Sequence, residues 1–176
     1  MLRLKVKMSS STRDASSVDD TRAAVLTVSD SCSRGEKKDL SGPAVAKALG
    51  RRNFQVVIRS VVGDERAAIQ EKLIELCRSA RLVVTTGGTG LAPRDVTPEA
   101  TGAVCERLVE GIAEQMRLHG VRKTRFAALS RAVCGVRGTS LILNLPGSPA
   151  GAVESLEAVM DLLPHALALL AGETEH

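Results

Sequence analysis

Aromatic side chains are almost missing from this chain: its 176 residues hold two Phe and neither Trp nor Tyr. Any core must therefore be aliphatic, built from Val, Leu, Ile and Ala. The same shortage argues against single-stranded nucleic-acid binding, which stacks bases on aromatic rings. Histidine is scarce as well. His119 and His165 fall in helical-looking runs and His176 is the last residue, so a histidine base is not expected. The cysteines, Cys32, Cys77, Cys105 and Cys134, lie far apart with no CxxC or Cys/His cluster, which excludes a zinc site of ordinary spacing. Cys77 and Cys105 read as small buried apolar residues. No apolar run reaches membrane-spanning length, and the N-terminus lacks a signal-peptide apolar core. The expectation is a cytoplasmic protein with reduced thiols and neither membrane nor nucleic-acid partners. Acidic residues are absent from Gln115 to Gly151, where Arg117, Arg122, Lys123, Arg125, Arg131 and Arg137 all fall. That stretch is either a solvated basic loop or a rim that attracts an anionic ligand.

What is present reads as one soluble domain. The chain is 44% hydrophobic and 25% charged, with a net charge of +4. Residues 1–20 are rich in Ser, Asp and Arg and read as a mobile tail, leaving 21–172 as a single folded domain. Ala23 to Val28 is a short continuous apolar run, the pattern of a strand buried on both faces. Ser41-Gly42-Pro43 opens a helix, with Ser41 as its expected cap. Val56 to Val62 is a second strand. Asp64 can cap the helix that follows, where Ile69, Leu73 and Leu76 repeat at helical spacing. Leu82 to Thr86 is a third strand. Helices are expected from Pro98 to about Leu108 and from Ile112 to about Leu118. Further strands are expected at Leu129 to Cys134 and Leu141 to Leu145. Ser148 can cap the last helix, which Pro164 kinks or divides. This alternation predicts an α/β three-layer sandwich with a mainly parallel sheet. In such folds ligands bind at the carboxyl ends of the strands.

The segment Leu82 to Thr101, LVVTTGGTGLAPRDVTPEAT, sits at such an end. Gly87, Gly88 and Gly90 allow close approach to the main chain, and successive free N–H groups can form a concave anion site. Thr86 and Thr89 add hydroxyls. The segment is neither a Walker A loop nor a dinucleotide GxGxxG. Asp95 has two open readings, a helix cap or a pocket carboxylate that holds a divalent cation. Asp64 is the natural second carboxylate, with a cap as its own alternative. Two carboxylates beside a phosphate cradle suit magnesium. The loop after the first strand (Asp30, Ser31) and the turn Pro146-Gly147-Ser148 would reach the same rim, and Ser130 and Arg131 could contact phosphate. Chemistry without a protein nucleophile fits best, and phosphoryl or nucleotidyl transfer is of that kind.

At this point the chain resembles the MogA/MoaB-type molybdopterin-binding family, which includes gephyrin G domains. The resemblance runs from about Arg22 to Leu170. It rests on TVSDS (27–31), DLSG (39–42), GDE (63–65), TTGGTGLAPRDVTPEAT (85–101), LSRAVCGVRG (129–138) and LILNLPGSP (141–149). It implies a domain that assembles as a homotrimer. It also implies molybdenum cofactor biosynthesis by a molybdopterin adenylyltransferase: molybdopterin is adenylylated with ATP as co-substrate and Mg2+, giving adenylyl-molybdopterin and pyrophosphate. A downstream molybdenum insertase then acts. Asp64 and Asp95 match the family's required aspartates, with Asp95 as the Mg2+ ligand. The loop Thr86 to Gly90, Ser130 and the turn Pro146 to Ser148 match its pterin- and nucleotide-binding surface. RDVTPEAT points to the MogA side of the family. The alternative is a non-catalytic, MoaB-like pterin carrier or scaffold.

Overall fold

The computed structural model describes residues 21–172, so the expected tail at 1–20 lies outside the described residues. Among the described residues six strands form one sheet: β1 (Arg22–Val28), β2 (Gln55–Val62), β3 (Leu82–Thr86), β4 (Arg107–Leu108), β5 (Cys134–Arg137) and β6 (Ser140–Leu145). Their spatial order is β2-β1-β3-β6-β5-β4. The first four in that order pair in parallel, whereas β6-β5 and β5-β4 are antiparallel. The parallel part is as expected, and a short antiparallel extension closes one side.

Helices cover the sheet on both faces: α1 (Asp30–Ser33), α2 (Ser41–Arg51), α3 (Arg66–Cys77), α4 (Thr97–Val104), α5 (Glu110–Val121), α6 (Pro149–Glu157) and α7 (Leu163–Ala171). Alternate residues of each central strand face opposite layers. Val25, Val84, Leu143 and Leu145 pack with Val45, Leu49, Met116, Leu156 and Leu167 from α2, α5, α6 and α7. Leu26, Val83 and Ile142 face the other way, against Ile69, Leu73 and Leu76 of α3 and Ala100 of α4. This double burial is why β1, β3 and β6 read as unbroken apolar runs.

Several boundaries differ from the sequence expectation. Ser41 does not cap α2; Asp39 Oδ1 accepts from the Gly42 amide at 2.9 Å instead. The helix expected from Pro98 ends at Val104, and Leu108 instead joins β4. Cys105 leaves the helix in an extended conformation, and Glu106 N and Val109 N then bond to carbonyls of β5. The strand expected from Leu129 begins only at Cys134, because Arg125–Leu129 forms a 3-10 turn whose start Thr124 caps. Ser148 caps α6, accepting from Gly151 N at 3.2 Å. Pro164 divides the last helix, at the start of α7 after a 3-10 turn at Met160–Leu162.

Candidate functional site

Strands β1, β3 and β6 run in parallel and in register, so the loops after Val28, Thr86 and Leu145 emerge side by side. The glycine turn after β3 holds its shape through special backbone. Gly87 has φ +101 and Gly88 φ +64. A Cβ on Gly87 would lie 2.3 Å from the Val28 carbonyl oxygen, and one on Gly88 2.3 Å from Thr97 Oγ1. Only glycine meets both the conformation and the space. A Cβ on Gly147 would sit 3.3 Å from Gly87 Cα, so the turn after β6 lies against the turn after β3. Thr97 Oγ1 donates to Gly87 O at 2.9 Å and Thr86 Oγ1 to Pro146 O at 2.7 Å, which fixes both turns.

The amides of this turn divide into one that is used and three that are not. Gly87 N donates to Leu145 O at 3.1 Å, continuing the β3-β6 ladder. Those of Gly88, Thr89 and Gly90 find no acceptor among the described residues. Three consecutive unpaired N–H groups at a strand end have the chemistry to cradle an anion. The donors are thus one residue shorter than the full Gly87 to Gly90 span.

Both aspartates lie against this cradle. A Cβ on Gly88 would be 3.3 Å from Asp64 Oδ1, and one on Gly90 2.7 Å from Asp95 Oδ2. Neither carboxylate caps the helix that follows it. Asp64 Oδ2 accepts from Asp30 N at 2.7 Å, and Asp30 Oδ1 accepts from Asp64 N at 2.9 Å, a reciprocal clasp between two loops. Asp95 Oδ2 accepts from Ala92 N at 3.0 Å, closing its own loop. The second oxygens, Asp64 Oδ1 and Asp95 Oδ1, have no donor among the described residues. Burial pushes the Asp64 carboxyl above its ordinary value; the Asp30 amide opposes this, while the charges of Asp30 and Asp95 add to it. Asp30 shifts the other way, held down by the Asp64 amide and then by Arg94.

The arginines here are committed to the protein. Arg94 donates to Asp30 Oδ2 at 2.8 Å and to Glu65 Oε1 at 2.7 Å. Arg131 donates to Gly90 O at 2.7 Å and to Asp95 O at 2.5 Å, pairs with Glu99, and places its own amide on Thr89 O at 2.9 Å. The Asp95 loop is therefore braced on both sides.

Sequence-derived site residues fall into two cavities that meet at the glycine turn. One, of about 420 Å³, is lined by Ser31, Asp64, Thr86, Gly87, Gly88, Asp95 and Gly147 among others. The other, of about 320 Å³, is lined by Thr89, Gly90, Ser130, Pro146 and Ser148 with apolar Phe126, Ala127 and Leu129. Asp30 and Arg131 line neither: Asp30 acts through Asp64 and Arg94, and Arg131 lines a separate cleft beside the glycine turn. A larger cleft of about 590 Å³ between α5 and β5 lacks the glycine turn and both aspartates. The first cavity also holds Asp39 of the DLSG motif, with Lys37 and Lys38, which sequence reasoning passed over. Only the KKD charge run at 37–39, leading into the DLSG motif, hinted at them. Three of the cysteines are not reactive candidates: burial pushes Cys77 and Cys105 up to about 11 and Cys134 up to about 12.

Residues 24–165 match the family described as a probable molybdopterin binding domain. The chain belongs to that family. It is similar to the molybdopterin adenylyltransferase of Helicobacter pylori (strain 26695), 43% identical over 152 residues, spanning 84% of this chain and 86% of that one. It is 42% identical over 153 residues to the Drosophila melanogaster molybdenum cofactor synthesis protein cinnamon, matching 85% of this chain but only 25% of cinnamon. Among solved structures it is similar to the molybdopterin biosynthesis enzyme MoaB of Thermus thermophilus, at 53% identity and a TM-score of 0.81, covering 86% of this chain and 96% of that one.

Proposed function

We propose that this protein acts in molybdenum cofactor biosynthesis as a molybdopterin adenylyltransferase. The observation that carries the reading is the juxtaposition of three unpaired amides at Gly88, Thr89 and Gly90 with free oxygens on Asp64 and Asp95. In the reaction the terminal phosphate oxygen of molybdopterin attacks the α-phosphorus of ATP. The Gly88 to Gly90 amides hold a phosphate at the junction of the two cavities, beside both reacting groups. The cavity containing Ser130, Pro146 and Ser148, partly apolar, suits the pterin, and the one containing the aspartates suits the nucleotide. Ser148 Oγ and Ser130 Oγ are engaged locally, with Gly151 N and Ala132 N, and present their remaining capacity to the second cavity.

Magnesium fits this donor set. Asp64 and Asp95 each keep one free oxygen, and a cation beside Asp64 would offset the burial and the like charges that raise its carboxyl. No group of three or more His, Cys, Asp or Glu among the described residues could hold a metal alone. An ion that takes one or two carboxylates and completes its shell with phosphate and water matches that pattern. When bound, it would neutralise the triphosphate charge. Arg131 and Arg94 hold the Asp95 loop still, and the Asp30–Asp64 clasp aims Asp64.

We further propose a homotrimer, as the family resemblance implies, with exposed Leu118, Val121 and Leu169 supplying apolar surface, and delivery of product to a molybdenum insertase. Purified protein incubated with molybdopterin, ATP and Mg2+ should release pyrophosphate and form adenylyl-molybdopterin; no product at any enzyme level overturns the reading. The 53% identity to MoaB favours one second reading, a pterin carrier without turnover. Tight pterin binding with no ATP consumption would select it.

A further inference from the structure

The nucleotide cavity poses a charge problem. It contains three carboxylates, Asp39, Asp64 and Asp95, yet the proposed reaction requires it to accept a triphosphate. The arginines of the basic stretch and the glycine segment do not supply the missing charge there. Arg94 and Arg131 are engaged as described. Arg117 donates to Ala132 O at 3.0 Å and faces the other clefts. Arg137 donates to Val104 O at 2.7 Å and lines a separate cleft with Arg78 and Glu106.

Two cations remain. Lys37 and Lys38 both line the 420 Å³ cavity. Neither ammonium makes a hydrogen bond or ion pair among the described residues. Their segment is nonetheless anchored: Glu36 N and Lys37 N donate to Ser31 O at 2.9 and 3.1 Å. On the far side Asp39 accepts from Thr27 Oγ1 at 2.8 Å and from Gly42 N. The backbone is fixed at both ends while the charged ends are free.

We propose that Lys37 and Lys38 form the polyphosphate subsite, binding the β- and γ-phosphates of the nucleotide and the pyrophosphate that leaves. The inference rests on the adenylyltransferase reading. In the step itself, the pterin phosphate oxygen forms a bond to Pα while the bond from Pα to the bridging oxygen breaks. Pyrophosphate departs with that electron pair. Negative charge therefore grows on the β-phosphate side, where two compact ammonium groups on flexible stems can follow the departing group. Rigid amides hold one end of the reacting system and mobile lysines hold the end that must leave.

The test is a calorimetric titration of the full chain with inorganic pyrophosphate and, separately, a steady-state rate assay with ATP and Mg2+. The double variant Lys37→Gln/Lys38→Gln should lose about tenfold or more in pyrophosphate affinity and raise KM for ATP by a similar factor, as expected for lost hydrogen bonds to charged groups. Its melting temperature and pterin affinity should be unchanged. Lys37→Arg/Lys38→Arg should retain most of the affinity, and Arg122→Gln, a change within the basic stretch, should have no effect. Unchanged pyrophosphate affinity in the double glutamine variant overturns the proposal, as does a wild-type protein that binds no pyrophosphate. If wild type binds pyrophosphate through the lysines but forms no adenylyl-molybdopterin, the activity reading falls and the subsite stands.

Discussion

Asp64 and Asp95 carry the same chemical group, yet their surroundings set them apart. Asp64 is partly buried, clasped to Asp30 and raised in pKa, whereas Asp95 closes an exposed loop with one oxygen. A carboxyl raised in the folded state relative to the unfolded one makes the fold less stable once it ionises. The penalty is absent below the unfolded carboxylate range and complete above the folded value. Asp64→Asn should therefore raise the melting temperature at pH 7, and the gain should fade as the pH falls into the carboxylate range. The same variant should lose turnover by at least ~100-fold, beyond what loss of an outer-shell metal partner costs. Wild-type kcat/KM, which reports groups of the free enzyme, should decline on the acid side through a group titrating above an ordinary aspartate. Melting curves and pH–rate profiles on the pair check both. Asp95→Ala should abolish turnover while leaving pterin affinity largely intact.

At the scale of elements, the glycine turn and the β6 strand decide whether the site exists at all. Gly88→Ala puts an ordinary residue at φ +64 and a methyl 2.3 Å from Thr97 Oγ1. The backbone cost alone is roughly 1–2 kcal/mol, and the turn must shift to relieve the clash. The expected result is a lower urea midpoint together with loss of phosphate binding. Asn144 is buried in β6 and ties three elements together: Nδ2 donates to Thr85 Oγ1 at 3.0 Å and Thr101 Oγ1 at 2.9 Å, and Oδ1 accepts from Val133 N at 3.3 Å. Asn144→Ala leaves those partners unsatisfied in the core and should cost about 2–4 kcal/mol by urea unfolding. The central strands were legible because burial on both faces writes a continuous apolar run. β4 was not, because a two-residue exposed strand has no period to read; only pairing with β5 creates it.

The whole molecule adds what no element contains. Sedimentation should give a species of three times 18.5 kDa, and a monomer at working concentration would overturn the trimer. Among the described residues no helix is long and apolar enough to cross a membrane. The order β2-β1-β3-β6 brings loops from residues 29, 64, 87 and 147 to one rim, and the register of three parallel strands sets their depth.

The layered α/β architecture is written in the sequence, because continuous aliphatic runs mark strands buried on both faces and helical periods mark the helices that cover them. The glycine turn is written there too, because positive φ and close backbone contact leave no other residue. The roles of the charges emerge only on folding. Arg131 reads as available for phosphate but is held by carbonyls of a loop far away in sequence, while Lys37 and Lys38, which carry no local signal of a role, line the cavity. Hydrogen-bond partners of long side chains depend on contacts between distant segments, and local sequence holds no record of those.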